Sequence, residues 1–363
     1  MICYNFFTRC KINLRIYRYY KMEKVVLSGL RADDFETIVE KLKGSKFRAK
    51  QIQNWIYLKS VSSIDEMSDL SLKFREELSK IAVVTTSKIK RKQVSSDGTI
   101  KYLVEYSDGQ CVETVLMRFD NRANLTACVS SQVGCAVNCS FCATGKGGFV
   151  RNLTSSEIVD QVLTIQRDTG LKVTNVVFMG QGEPLLNLDN VLGAIDLLNV
   201  NCQIGARRIT VSTSGIAPNV ENFAKANSQS TLAWSLHAPT DEIRNQIMPI
   251  NKKYPISEMK KALDKYFEIA GRRVTIEYLL ISGLTDTFEC AKKLAELLRG
   301  IKCNINLIPY NSVVENDYKK PTNDSIMKFK YILEHSGKKV TVRLERGADI
   351  DAACGQLRGK VAT

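Results

Sequence analysis

The chain has 363 residues with a hydrophobic fraction of 44%, enough to bury a sizeable core as one large domain plus a smaller one, and no run approaches the roughly 18 apolar residues of a membrane-spanning helix. Eleven cysteines, an odd number scattered along the length, exclude a small disulfide-stapled secreted scaffold and fit a reducing cytoplasm. A formal net charge of +14, from 52 Lys and Arg against 38 Asp and Glu, suits a polyanionic partner such as nucleic acid, with a merely soluble basic surface as the alternative.

The first 21 residues carry Arg9, Lys11, Arg15, Arg18 and Lys21 with no acid, yet lack the continuous apolar core of a signal peptide. The chain is therefore read as starting at Met22, with residues 1–21 a basic leader that is disordered or not translated. From there the pattern is helical. Asp33 and Asp34 cap a helix in which Phe35, Ile38, Val39 and Leu42 recur at i, i+3, i+4 and i+7, and Gly44 stops it. A second helix over 49–59 buries Ile52, Trp55 and Ile56, and a third runs from a Ser71 cap to near Lys80. Residues 22–84 thus form a helical accessory domain whose basic face, with Arg48, Lys50 and Lys59, either docks RNA or is simply solvated.

After Lys80 the period changes. Segments 87–93, 100–106 and 111–117 read as strands joined by Asp97-Gly98 and Asp108-Gly109, dipeptides that favour tight hairpins, so residues 85–120 form a β-meander. Its run from Lys88 to Lys92 is a basic edge that blocks edge pairing, meets phosphate, or does both. Across 121–345, apolar strands beginning at Thr126, Val173, Arg208, Thr231, Arg273, Asn304 and Lys339 alternate with helices over 156–168, 188–199, 218–226, 257–269, 288–299 and 323–335. The expected fold class is α/β, an incomplete (β/α)6-type TIM barrel, where chemistry sits on the loops after the carboxyl ends of strands.

The first such loop holds Cys135, Cys139 and Cys142 in the spacing C-x3-C-x2-C. Three soft thiolates facing one centre suit an iron–sulfur cluster, and a four-iron cube with three protein ligands leaves one iron open. A zinc knuckle would want a fourth Cys or His nearby, but the nearest, Cys128, is seven residues upstream. Chance clustering of buried cysteines is the other alternative. The second strand is followed by Gly180-Gln181-Gly182-Glu183-Pro184, where glycine permits a close turn and Glu183 offers an acceptor. The third strand ends at Ser212, the fourth at Ser235, Leu236 and His237, and the sixth at Asn311. These groups either bond ribose, adenine and carboxylate or cap strand ends. Residues 346–363 then present one thiol, Cys354, in a polar Gly-flanked segment.

These motifs, with Phe141 just before the last clustered cysteine, resemble the radical S-adenosylmethionine (SAM) enzymes. From about Leu27 to Lys360 the chain is similar to one branch of them. That branch methylates carbon 2 of an adenine in 23S ribosomal RNA, at the peptidyl transferase centre, and in the anticodon loop of some transfer RNAs. The resemblance implies a 4Fe-4S cluster on Cys135, Cys139 and Cys142 whose open iron binds SAM, with SAM contacts from Gly182, Glu183, Ser212, Ser235, Leu236, His237 and Asn311. It also implies Cys354 as methyl-accepting cysteine, Cys128 as second redox cysteine and Glu113 as proton acceptor. Carbon 2 of adenine is electron-poor and its C–H bond inert, so it does not attack the SAM methyl group directly. In the implied route one SAM methylates Cys354, and a second yields a 5'-deoxyadenosyl radical that takes hydrogen from that S-methyl group. The carbon radical then adds to adenine, and Cys128 attacks sulfur to free the product and leave a transient disulfide. A cytoplasmic monomer, reduced by a low-potential donor such as flavodoxin or ferredoxin, follows from the same resemblance.

Two features depart from the pattern: Gln181 stands where methionine is expected, and the interval from Glu113 to Cys128 is slightly long. Relatives that methylate carbon 8 of the same adenine usually have Gly-Glu-Ala in the loop, whereas Pro184 and Leu185 favour carbon 2. The alternative from another class is a non-catalytic RNA-binding protein with a structural metal knuckle.

Overall fold

A computed structural model of the chain describes residues 24–119, 122–227, 229–313 and 316–359, and the basic leader 1–21 lies outside them. The N-terminal pattern folds into α1 (Ala32–Lys41), α2 (Phe47–Tyr57) and α3 (Leu72–Ile81), closed by the short parallel pair β1 (Val25–Val26) and β2 (Ala82–Val83). Asp34 works from inside the first turn: its carboxylate accepts the Arg31 N–H at 2.8 Å, so α1 begins ahead of the expected acidic cap. Ile52 and Ile56 are buried as expected, but Trp55 is only half-buried, because its indole N–H reaches out to the Asp69 carboxylate. Gln53 bonds Asn201 at 2.8 Å and Gln166 bonds Ser60 at 2.8 Å, fastening the helices to the rest of the molecule.

The meander strands are β3 (Lys88–Val94), β4 (Ile100–Glu105) and β5 (Cys111–Phe119), and β5 continues antiparallel onto β6 (Arg122–Cys128). They therefore add to the edge of the main sheet and form no layer of their own. After β6, the hairpin of β7 (Gln132–Gly134) and β8 (Phe149–Asn152) encloses the single turn α4 (Ala143–Lys146). Then follow α5 (Ser155–Thr169), β9 (Asn175–Phe178), α6 (Leu188–Val200), β10 (Ile209–Thr213), α7 (Ala217–Ala226) and β11 (Thr231–Ser235). The remainder is α8 (Asp241–Ile247), α9 (Ile256–Ala270), β12 (Val274–Leu280), α10 (Phe288–Leu297), β13 (Cys303–Pro309), α11 (Asn323–His335) and β14 (Lys339–Val342).

The ten-stranded sheet has the order β14-β13-β12-β11-β10-β9-β6-β5-β4-β3, parallel from β14 to β6. It ends at β14 and β3 without closing, which makes the barrel incomplete. Parallel strands covered on both faces become apolar throughout, and Leu232, Ala233 and Trp234 in β11 are all buried. Helix boundaries follow local chemistry. Thr154 and Glu157 form a reciprocal capping box on α5, worth about 1 kcal/mol, and Gly170 ends it at φ 65. No helix among the described residues is long and apolar enough to cross a membrane.

Candidate active site

A cavity of about 200 Å³ opens among the carboxyl ends of the parallel strands. Its wall brings together Cys135, Cys139 and Cys142, Cys128 at the end of β6, and Cys354 from the C-terminal segment. Gly182, Glu183, Ser212, Ser235, His237 and Asn311 line the same space.

The cysteine loop is shaped by its backbone. Cys135 N–H donates to Gly148 across the hairpin at 2.8 Å, Cys142 N–H to Cys139 at 3.2 Å, and Ser140 N–H to Ile247 of α8 at 2.9 Å. Asn138 adopts a left-handed φ of 55 to make the turn. Burial pushes the Cys135 thiol up to about 12 and raises Cys139 as well, with Cys142 adding to the latter, so the protons must leave as metal enters. The donor set suits a 4Fe-4S cluster: three soft, free thiols, each of which would take one corner of a cube.

Opposite that loop, Glu183 is 3% exposed, and its carboxylate accepts the Ser214 N–H at 2.7 Å and the Leu185 N–H at 3.0 Å. Burial raises its pKa, and these N–H groups oppose the rise. Gly182 sits at φ 99, where an added Cβ would stand 2.6 Å from Gln132, so only glycine fits this turn. The Ser212 and Ser235 hydroxyls lie 3.1 Å apart. His237, at φ 58, accepts the Leu279 N–H on Nδ1 at 3.1 Å, which assigns the ring proton to Nε2. Burial, with Arg244 nearby, lowers its pKa to about 3 and keeps it neutral, and Phe141 meets it edge-on at 5.2 Å. Leu236 is not at the cavity: between two residues that face it, its side chain turns into the core.

Cys354 rides on a strap that crosses the cavity mouth. Ala143 N–H donates to Gly355 at 2.7 Å, the Thr144 hydroxyl to Leu357 at 2.7 Å, and the Asn311 amide to the Cys354 carbonyl at 3.1 Å. Cys128 packs with Val115 and Leu357, and burial, then Cys354, raises its thiol to about 12. Glu113 lies elsewhere. Although β5 turns it to the same face as Val115 and Met117, the strap covers it: one carboxylate oxygen accepts the Arg358 and Gly359 N–H groups, and the other pairs with Lys101 at 3.1 Å. It faces a second cavity, lined also by Arg91, Lys101 and Arg358.

Two cavity residues, Glu277 and Arg343, had no motif to reveal them. Glu277 is a lone carboxylate in the apolar strand β12, a signal that can be read; one oxygen accepts from Asn306 at 3.0 Å and the other has no hydrogen-bond partner among the described residues, while burial raises its pKa. Arg343, just past β14, lines the cavity with Cys354, Glu277 and Cys128. Gln181 uses its polar end: its side-chain oxygen accepts the Glu113 N–H at 2.9 Å, tying the glycine loop to β5.

Residues 129–298 match the Radical SAM superfamily model, and residues 25–84 match the ribosomal RNA large subunit methyltransferase N-terminal domain. The chain is 46% identical over 342 residues to a probable dual-specificity RNA methyltransferase RlmN of Alkaliphilus oremlandii, covering 93% of this chain and 99% of that one. A protein of the same name from a Thermoanaerobacter species is 47% identical over 337 residues, 92% of this chain and 98% of its own. Among solved structures, a radical SAM methyltransferase from Sphaerobacter thermophilus superposes with a TM-score of 0.88 at 42% identity, covering 93% of this chain and all of that one. The chain belongs to the radical SAM superfamily and, within it, to the RlmN methyltransferase family.

Proposed function

We propose that the protein methylates carbon 2 of an adenine in 23S ribosomal RNA and in a subset of transfer RNAs, through S-methylated Cys354. The observation that supports this most is the meeting of Cys354, Cys128 and the three clustered thiols in one cavity. The substrate names carried by the relatives and the net charge of +14 support RNA as the partner. When bound, the cluster supplies the electron for reductive cleavage of SAM. Cys135, Cys139 and Cys142 hold it, and Gly182, Glu183, Ser212, Ser235, His237 and Asn311 orient SAM, with the backbone of Leu236 fixing the strand end between two of them. The strap anchors keep the Cys354 thiol at the cavity wall. Cys128, a protonated thiol at neutral pH, gives up that proton when it attacks the Cys354 sulfur. Glu113 accepts a proton only once Arg358 and Gly359 release its oxygen, so strap movement belongs to this step. The reaction takes place in the cytoplasm, on a monomer supplied by a low-potential donor such as flavodoxin or ferredoxin, and both thiols must be reduced before another turnover.

Mass spectrometry of RNA from a deletion strain tests the reading. Loss of 2-methyladenosine from both RNA classes is expected; loss of 8-methyladenosine instead would move the enzyme to the carbon 8 branch.

The basic edge has a graded role. Lys90 is paired with Glu105 at 2.7 Å and Lys92 with Asp168 at 2.5 Å, whereas Arg91 makes no ion pair among the described residues and lines the second cavity. Arg91→Ala should flatten the slope of log affinity against log salt by about 0.7 to 0.9, one phosphate contact, and Lys90→Ala or Lys92→Ala by less. Equal slopes for wild type and Arg91→Ala in a filter-binding titration would return the strand to a solvated edge.

A further inference from the structure

Arg244, on α8, is 0% exposed. Its Nε donates to the Leu236 carbonyl at 3.0 Å, Nη1 to the Asn251 side-chain oxygen at 2.6 Å, and Nη2 to the carbonyls of Ser214 and Ser235. All four acceptors are neutral. Among the described residues the guanidinium makes no ion pair; the nearest carboxylate in its network, Asp241, is reached only through the Asn251 amide, at 2.8 Å from that amide. A buried cation without a counter-charge is costly, and hydrogen bonds to carbonyls satisfy its donors but not its charge.

The missing anion has a place beside it. The cysteine loop rests on the same helix: Ser140 N–H donates to Ile247 at 2.9 Å, and Cys139 and Phe141 pack against Ala238, Ile247 and Met248. Arg244 stands one turn before Ile247 on that helix, and the carbonyls it holds, those of Ser235 and Leu236, immediately precede His237, which lines the cavity with the three cysteines. A reduced cluster carries one more negative charge than an oxidised one, so a fixed cation in a dry site stabilises the reduced form more.

We infer that Arg244 is the fixed counter-charge of the iron–sulfur cluster, a positioning residue that raises the reduction potential while its carbonyl contacts hold the ends of β10 and β11 beside the cysteine loop. This rests on the assignment of the cluster to Cys135, Cys139 and Cys142 proposed above. Lysine is an incomplete replacement, since one ammonium cannot span the carbonyls that the planar guanidinium reaches.

The test is a potentiometric titration of the anaerobically reconstituted full chain, without SAM, followed by electron paramagnetic resonance. In R244M the ratio of reduced to oxidised cluster at a fixed potential should fall at least tenfold, a downward shift of about 59 mV for one electron. R244K should fall less than R244M. N251D keeps the guanidinium but sets a carboxylate against Nη1, and it too should lower the ratio; it decides the matter if R244M does not fold. A wild-type potential in an R244M or N251D protein that retains its iron overturns the inference while leaving the cluster assignment standing. A reconstituted wild-type chain that binds no iron overturns both.

Discussion

Alanine at any one of Cys135, Cys139 or Cys142 should remove iron retention and SAM cleavage together. Two thiolates cannot hold a cube with one distinct open corner, and the loop has no spare ligand: Cys128 and Cys354 line the same cavity but sit on β6 and on the strap. The loss should exceed the roughly 10–100-fold that removal of an outer-shell partner costs a metal site. Iron per chain and visible absorbance after anaerobic reconstitution are the readouts. Cys202→Ala and Cys290→Ala, in the core, and Cys303→Ala, on β13, are the controls and should remain brown. A clustered-cysteine variant with wild-type iron would sink the cluster assignment and the proposed chemistry with it.

Cys354→Ala and Cys128→Ala should fail at different points of the reaction. In the route proposed above Cys354 carries the methyl group, so its alanine variant should never join to RNA. In that route Cys128 acts only after carbon–carbon bond formation, so its variant should accumulate with RNA attached through Cys354. The structure makes both comparisons clean. The strap is anchored through the Cys354 carbonyl, which alanine keeps, and Cys128 is a small residue in an apolar cluster with Val115 and Leu357, which tolerates alanine with a small cavity cost. Denaturing gels of protein purified from cells, with and without ribonuclease, should show RNA-dependent mass on Cys128→Ala alone. The band should vanish in the Cys128→Ala, Cys354→Ala double variant; its persistence there would mean another residue accepts the methyl group.

What was readable in advance was whatever rests on short-range pattern. Periodicity located the strands and long helices of the sheet, because each buries one face or stripe of its own residues whatever it packs against. The C-x3-C-x2-C spacing and the residues at the strand ends were readable because backbone geometry alone brings them to one rim. Short elements escaped: α8 spans seven residues and α4 four, less than two helical turns, and both exist only because tertiary contacts hold them. The joining of the meander to the sheet also needed a long-range strand pair, β6 with β9.

The placement of charge was likewise decided in three dimensions. Glu113 and Val115 share a strand face, yet one lies under the strap and the other lines the cavity, since residues 347–359 cross between them. Nothing in the local pattern distinguishes Arg244 from a solvated helix arginine, and its burial comes from the carbonyls of two strand ends folding around it. Local pattern set the long helices, the strands of the sheet and the chemical groups that stand at their ends. Only the tertiary structure decided which of those groups share one dry space, because that depends on segments remote in the chain meeting, and on a buried charge finding its partners there.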